Sequence, residues 1–346
     1  LAIVNKTRDR TNTLRALGNI AAELEIFEGL KFKTVLGFDQ SLSSRKSAFS
    51  GSLLLDGVAS RASKVDGKYP EQYADGVVPV GRLYIRDIEM NNRLWETYFT
   101  YDKTFGKTSL NALLGYSYQS FETYGKSASL ANFASTNLNV MVNNLASADA
   151  SKAPSNVVNN SNRDFDELQS YFTRVNLNMG KILLTGTLRV DGSTKFGGNN
   201  KYGYFPSGAV KYKLIEENFV PKNVFSDLAL RVGYGLVGNQ NIPHNLYDRR
   251  DRYAGWNANQ GATDISGGGL NAVAFNNPNL KWESTSTLNI GLDYAIAGNR
   301  VSGNIEFYQK NTKDLLFQVV SAQPAPTPFV WKNLDTDIQN RGLELG

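Results

Sequence analysis

A two-residue alternation of apolar and other side chains runs through most of this chain, and it constrains the fold more than any other feature. In residues 227–236 one face carries only large apolar side chains: Leu228, Leu230, Val232, Tyr234 and Leu236. The other face carries Asp227, Ala229, Arg231, Gly233 and Gly235. Because successive side chains of a β-strand point to opposite faces, this pattern predicts a strand with one wholly apolar face.

The connections between such segments alternate in length. Tight turns at residues 28–29, 105–107, 180–181 and 297–299 alternate with long polar loops at about residues 44–93, 120–166 and 238–280. A soluble β-sandwich does not sort its connections in this way. The pattern predicts an all-β fold, an antiparallel transmembrane β-barrel with short periplasmic turns and long extracellular loops. We predict about eleven strands of about 11 to 14 residues, which is enough to cross a bilayer at a tilt.

The chemistry of the two faces supports a membrane location. Arg or Lys on a lipid-facing position costs on the order of 2–4 kcal/mol at mid-depth, so the apolar face must meet lipid and the charged face must line the lumen. The predicted lumen residues are Arg15, Glu23, Lys31, Asp39, Arg174, Asn176, Arg231, Asn289 and Asp293. Aromatic residues near strand ends fit either interfacial girdles or ordinary cross-strand packing; these are Trp95, Tyr98, Tyr101, Tyr116, Tyr118, Tyr294 and Tyr308.

Composition excludes several functional classes. The 346 residues contain no Cys and a single His, His244, which argues against disulfides, thiolate metal sites and most His-based acid–base catalysis. The net charge of +5 is scattered among acidic residues, so we expect no nucleic-acid partner. The Asp/Asn-rich stretches lack EF-hand spacing, which favours solvated loops over Ca²⁺ sites. We therefore predict no enzymatic activity, no cofactor and no metal site.

Three segments are more specific than the alternation. They are residues 189–207 (RVDGSTKFGGNNKYGYFPS), residues 230–242 (LRVGYGLVGNQNI) and residues 277–284 (NPNLKWES). Here, and at residues 311–316 and 338–345, the chain resembles the SusC/RagA-type branch of TonB-dependent outer-membrane transporters of Bacteroidota. The match covers most of the chain in the right order.

The resemblance implies a 22-stranded barrel in the Gram-negative outer membrane, surrounded by lipid and closed by an N-terminal plug. It also implies energy from a TonB complex, a SusD-type surface lipoprotein as a lid, and an oligosaccharide or peptide as cargo. We find no plug segment or TonB box in the chain. We therefore expect residues 1–346 to be a partial β-barrel domain, cut from a longer protein at both ends and without the closing strands.

Cargo contacts can be proposed from side-chain chemistry alone. Aromatic rings stack on sugar faces and Arg binds acidic groups in a bidentate manner, which singles out Arg249, Arg250, Arg252, Tyr253, Trp256, Phe329 and Trp331. The same residues fit loops that only pack against neighbouring loops or a lid protein, and the sequence leaves both interpretations open. Two competing functions also remain: a siderophore or cobalamin receptor, and a surface adhesin or glycan-binding protein that transports nothing.

Overall fold

The computed structural model describes most of the chain, with gaps in several loops. The described residues are 4–50, 81–131, 133, 135, 137–148, 158–243, 250–254, 269–274, 277–322 and 329–346. Its fifteen strands are β1 (Thr7–Phe27), β2 (Leu30–Ser50), β3 (Gly81–Phe105), β4 (Thr108–Ala131), β5 (Val158–Met179), β6 (Ile182–Ser193), β7 (Tyr202–Tyr212), β8 (Phe225–Asn239), β9 (Arg250–Ala254), β10 (Gly269–Ala274), β11 (Glu283–Ile296), β12 (Val301–Lys313), β13 (Leu315–Val320), β14 (Phe329–Leu334) and β15 (Ile338–Leu345). One short helix, α1, covers Leu138–Asn143.

Eleven of these strands form one sheet. Its order is β1-β2-β3-β4-β5-β6-β7-β8-β11-β12-β15, and the pairs from β5 onwards are antiparallel. The count of eleven and the all-β class are confirmed. Tight turns join the predicted hairpins, and Gly29 adopts φ +89° at the first of them, a conformation that favours glycine.

Strand length is where the prediction was wrong. Strands β1 to β5 contain 21 to 25 residues, so β2 to β5 extend into the regions predicted as loops at residues 44–93 and 120–166. A tilted strand needs only about 9–11 residues to cross a bilayer. Beyond that length the outward side chains need not be apolar. The alternation in the sequence therefore ends there, although the backbone hydrogen bonds between strands continue.

Two small hairpins lie outside the eleven-stranded sheet. Strand β9 pairs with β10 inside the predicted loop at residues 238–280, and β13 pairs with β14 on either side of residues 321–328. Strand β7 begins at Tyr202, inside the first sequence motif. No helix among the described residues is long and apolar enough to cross a membrane.

Two compact units can be distinguished by their internal packing. The first contains Leu1–Gly18, Phe38–Asn92 and Phe121–Phe165. Its core is formed by Ala48, Leu83, Phe133, Met141 and Val142. Helix α1 supplies the last two of these residues, and the Lys46 ammonium donates a hydrogen bond to the Val142 carbonyl at 3.1 Å.

The second unit contains Asn19–Gly37, Arg93–Ser120 and Asp166–Gly346. Its strands carry one outward apolar face, whose register connects Leu184, Val210, Val232, Ile290, Phe307 and Leu343 across six strands. Most of these side chains are solvent-accessible without the bilayer; Val232, for example, is 39% exposed and Leu343 is 66% exposed. An apolar face of this extent without protein cover is the face that a membrane barrel presents to lipid.

Candidate functional site

The polar face of the same strands is built from a second set of rows. Register places Asn176, Thr185, Ala209, Gly233, Asn289 and Tyr308 side by side on adjacent strands. The amide of Asn111 donates to Asp102 at 2.7 Å, and Asn176 donates to Asn111 at 3.0 Å. The Thr185 hydroxyl donates to Asn176 at 2.9 Å. The Asp102 carboxylate and three neutral side chains thus form a hydrogen-bonded chain across β3 to β6.

The next part of the polar face is ionic. Asp293 on β11 accepts hydrogen bonds from Lys211 on β7 and from Arg231 on β8, each at 3.0 Å. The Arg231 guanidinium also lies 3.8 Å from Glu306 on β12. A Cβ at Gly291 would lie 3.0 Å from the Arg231 guanidinium, so this glycine leaves room for Arg231 to reach across the sheet. Four adjacent strands are joined by these charges.

Two cavities open on this polar face. The larger, of about 560 Å³, is lined by residues that include Asp102, Asn111, Asn176 and Thr185. The smaller, of about 340 Å³, is lined by residues that include Lys211, Arg231 and Glu306 over a floor of Ala209, Gly233 and Gly291. Asn178 and Asn289 each have a buried side-chain oxygen with no hydrogen-bond partner among the described residues. The face can therefore accept further hydrogen-bond donors.

Ion pairs between β1 and β2 join four more of the predicted lumen residues. Arg15 binds Asp39 in a bidentate manner, with distances of 2.8 and 2.9 Å. Glu23 lies 3.8 Å from Lys31. Each of these pairs joins two residues that were assigned to the lumen, which is consistent with the assignment.

The outward face carries a row of aromatic rings. Trp95 contacts Tyr116 with ring centroids 5.7 Å apart, and Tyr116 contacts Tyr171 at 5.1 Å. Register continues this row from Tyr171 through Val190 to Tyr204. The row has the position that the girdle interpretation requires for Trp95 and Tyr116.

Two aromatics predicted for the girdle lie on the polar face instead. Tyr308 directly follows the outward Phe307, and its hydroxyl would lie 2.8 Å from a Cβ at Gly342. The Cβ of Tyr98 would lie 2.8 Å from a Cβ at Gly115, next to Phe172. For these residues the girdle assignment was wrong. Both residues pack against a glycine position on the neighbouring strand, which is the cross-strand packing that the sequence left as the alternative.

At the extracellular ends of the strands, the three sequence motifs meet. Phe196 and Phe205 come from the first motif, Ile242 from the second, and Leu280 and Trp282 from the third. We call these five buried residues the aromatic hub. The Trp282 ring lies 4.9 Å from Phe196 and 5.4 Å from Phe205, and its indole N–H donates to the Lys201 carbonyl at 3.3 Å. The motifs therefore mark one structural core rather than three separate sites.

Hairpin β13–β14 is fixed to the hub through its base. Trp331 and Leu316 pack against the hub. The Asn333 amide donates to the carbonyls of Lys281 and Asp314, each at 2.8 Å, and its oxygen accepts from the Lys281 N–H at 3.0 Å. Because its side chain binds three backbone groups, Asn333 is the main polar link between hairpin β13–β14 and the hub.

Two further side chains support the same link. Asn277 donates to the Trp331 carbonyl at 3.0 Å, and Glu283 accepts from the Leu316 N–H at 3.0 Å. Sequence reasoning missed the link role of Asn277, Glu283 and Asn333. The sequence marks Asn277 and Glu283 only as members of the third motif. Nothing in it shows which backbone groups they bind.

The predicted contact residues have different positions. Arg250, Arg252 and Tyr253 lie on β9, whose backbone pairs with β10. Arg249 and Trp256 lie outside the described residues. Phe329 and Trp331 lie on β14; Phe329 is 46% exposed and Trp331 is partly buried against the hub. The assignment of these seven residues to cargo or lid contact stays a prediction.

Outside the membrane-spanning segments, neighbouring side chains shift the pKa values of two carboxylates. Hydrogen bonds from Arg45, and then from Ser47, lower the pKa of Asp9 to about 2. At the periplasmic end, hydrogen bonds from Tyr212 and Lys181 lower the pKa of Glu217. Among the described residues no group of three acidic, His or Cys side chains is placed to hold a metal ion.

Comparison with known proteins identifies the family. A family model described as TonB dependent receptor-like, beta-barrel, matches residues 6–346. The chain belongs to this family. TonB-dependent receptor P3 of Formosa agariphila is 33% identical over 344 residues, which is 99% of this chain and 30% of that protein. TonB-dependent receptor SusC of Bacteroides thetaiotaomicron is 42% identical over 188 residues, 51% of this chain and 18% of SusC.

Solved structures show the same fold. The RagAB peptide importer in its closed-closed state matches with a TM-score of 0.81 and 22% identity, over 98% of this chain and 34% of the matched chain. The ferric citrate transporter FecA matches with a TM-score of 0.53 and 14% identity, over 97% and 39% of the two chains. This receptor chain thus spans about a third or less of the curated relatives described above. The predicted SusC/RagA-type resemblance, the barrel fold and the outer-membrane location are confirmed.

Proposed function

We propose that the full receptor imports an oligosaccharide across the outer membrane, with energy supplied through TonB and without breaking a covalent bond. The similarity to SusC, at 42% identity over half of this chain, carries the proposal because it is much higher than expected from a shared fold alone. The separation of an apolar outward face from a polar lumen face supports a transport path along the latter.

The polar face suits cargo rich in hydroxyl groups. Asn111, Asn176 and Thr185 present amide and hydroxyl groups next to a cavity of about 560 Å³. Asn289 adds a buried oxygen that has no hydrogen-bond partner in the described part of the chain. Such neutral groups exchange hydrogen bonds with sugar hydroxyls as readily as with water, which favours passage over tight retention.

A peptide is the second candidate cargo. RagAB, whose structures match this chain with TM-scores of up to 0.81, is a peptide importer. At 22% identity this likeness supports the fold alone. The amide and hydroxyl groups of the polar face can form hydrogen bonds with a peptide backbone as well as with a sugar. The growth test described below therefore distinguishes the two cargoes.

The proposal includes two partners. A SusD-type lipoprotein would cover the extracellular mouth, and the TonB complex would act through a plug domain in the full protein. We propose that residues 1–346 form part of the barrel wall of that protein. Arg249, Arg250, Arg252, Tyr253, Trp256, Phe329 and Trp331 are the proposed cargo or lid contacts. The hub supports this role for β14, because it holds the base of the hairpin while Phe329 stays exposed.

The competing functions have weaker support. A siderophore or cobalamin receptor shares the fold, but the sequence similarity that carries the proposal is to SusC, at 42% identity over 188 residues. A glycan-binding protein that does not transport has no need for an apolar face running across six strands. Both alternatives become outcomes of the test below.

The test is growth of a strain lacking the full-length gene on single oligosaccharides, single peptides and limiting iron. We expect a defect on one or a few oligosaccharides, restored by the wild-type gene and also dependent on TonB. A defect on peptides alone supports the second candidate, and a defect only under iron limitation contradicts both. The contact residues are then tested by restoring the strain with Arg252→Ala or Phe329→Ala variants of the gene. Their uptake of labelled cargo is compared with that of the wild type.

A further inference from the structure

One periplasmic connection differs from the others at the same end of the strands. Tight turns join the hairpins at residues 28–29, 106–107, 180–181 and 297–300, whereas β7 and β8 are joined by the twelve residues 213–224. This connection is attached to the turns on both sides. The Lys213 N–H donates to the Lys181 carbonyl at 2.8 Å, and the Ala297 N–H donates to the Val224 carbonyl at 3.4 Å.

Side-chain contacts place the connection on the lipid side of the wall. Tyr212 belongs to the outward face, because register puts it beside Ile182 and Leu230. Glu217 accepts a hydrogen bond from the Tyr212 hydroxyl and another from the Lys181 ammonium at 2.9 Å. Since Glu217 binds an outward-pointing side chain, the first half of the connection folds towards the outward face rather than the lumen.

The folded connection exposes an apolar ring at this rim. Phe219 is 74% exposed, while its neighbour Val220 is only 6% exposed. A single exposed Phe is ordinary on a soluble surface. Here it lies on a segment continuous with the lipid-facing surface, and Lys213 and Lys222 flank it in sequence. An apolar side chain flanked by Lys is the composition of segments that lie in the headgroup region of a membrane.

We propose that residues 213–224 form an interfacial anchor in the periplasmic leaflet of the outer membrane. Phe219 inserts at the boundary between headgroups and acyl chains, about 5–10 Å into the leaflet. Lys222 contacts the lipid phosphates, whereas Lys213 is paired with Glu216 at 3.7 Å within the connection. Glu217 acts as a latch that holds the connection against Tyr212 and Lys181. The occupant of this surface is phospholipid, and the inference does not depend on the identity of the cargo.

The test uses the full-length receptor in nanodiscs made of phosphatidylethanolamine and phosphatidylglycerol. The present chain contains no Cys, so a Phe219→Cys variant carries a single label within it, once any Cys elsewhere in the full protein is replaced. An environment-sensitive fluorophore at position 219 should show blue-shifted emission and strong quenching by lipids that carry a quencher near the headgroup. The matched control is Lys107→Cys in a tight periplasmic turn, which should report water and be quenched by aqueous iodide.

A Glu217→Gln change in the labelled protein tests the latch. We expect the emission at position 219 to shift towards that of the Lys107 control, whereas Asp227→Asn, which changes an exposed carboxylate at the start of β8, should leave it unchanged. Water-like emission and iodide quenching at position 219 with Glu217 intact would overturn the anchor. Protection that appears only when a periplasmic protein is added would also overturn it, since the occupant would then be a protein.

Discussion

The aromatic hub lies at the ends of the wall strands, and the two regions are stabilised in opposite ways. On the wall, Val210 and Leu230 expose much of their apolar surface and contact no protein core. In the hub, Phe196 and Trp282 are at least nine-tenths buried against other side chains. Lipid solvates apolar side chains as well as a protein interior does, whereas water does not. The strands therefore need a protein core only where they emerge into water.

The difference also explains why glycine and aromatic residues are concentrated in the three motifs. At Gly203 and Gly238 an added Cβ would collide with the Phe205 ring. The wall tolerates many apolar residues at a given outward position, because lipid adapts to their shape. The hub requires matched volumes, because protein interiors are close-packed.

The largest expected effect is in the hub. Trp282→Ala removes the ring at its centre, and a buried Trp→Ala change costs about 3–5 kcal/mol. We expect a large fall in the temperature at which the full-length receptor loses its compact, heat-modifiable form in detergent. The matched control is Trp95→Ala, a 45% exposed ring on the outward face. Its loss should cost about 1 kcal/mol or less, because lipid or detergent fills the space. Equal losses from both substitutions would refute the distinction between hub and wall.

A charge placed on the wall should have the next largest effect. Val210→Arg puts a guanidinium on the lipid face, at a cost of about 2–4 kcal/mol at mid-depth. Ala209→Arg places the same group on the polar face, one residue away, where it points into the 340 Å³ cavity. We expect poor membrane assembly of the first variant and near-normal assembly of the second, measured as heat-modifiable protein in outer-membrane fractions. Assembly of both at wild-type levels would show that the face assignment is wrong.

The smallest expected effect is within the polar face. Asp293→Ala leaves Lys211 and Arg231 without their shared carboxylate, and because the group is partly solvated we expect a cost of about 1–2 kcal/mol. The comparison is Asp337→Ala, which removes a surface pair with Lys313 that is about 60% exposed on both sides. That change should be close to neutral. Indistinguishable thermal midpoints for the two variants would mean that the ionic network does not contribute to wall stability.

The fold was predictable where one physical rule acts locally. Alternation located the hairpin turns around Gly29, Gly106 and Gly180, and it assigned Arg231 and Asp293 to the polar face. It failed beyond the membrane-spanning part, where strands β2 to β5 continue without an apolar face to mark them. The girdle assignment failed for Tyr98 and Tyr308, because it relied on aromatic residues lying near strand ends and not on which face of the strand each ring occupies.

The candidate site was predictable only as chemistry. The seven proposed contact residues were chosen because they carry aromatic rings or guanidinium groups. Their three-dimensional positions could not be derived from the sequence alone. Trp331 illustrates the problem: its sequence context suggests cargo contact, and its ring packs partly against the hub. Long loops take their positions from contacts that are distant in sequence, and these contacts leave no periodic signal.

The sequence by itself determined the strand class, the lipid and lumen faces and the family, because each depends on residues a few positions apart or on contiguous motifs. The tertiary structure alone decided that the three motifs form one hub, that Asn333 links a hairpin to it, and that residues 213–224 fold towards the lipid side. These outcomes depend on side chains brought together from separate strands. Alternation sets the direction of a side chain, but only the assembled sheet sets its neighbours.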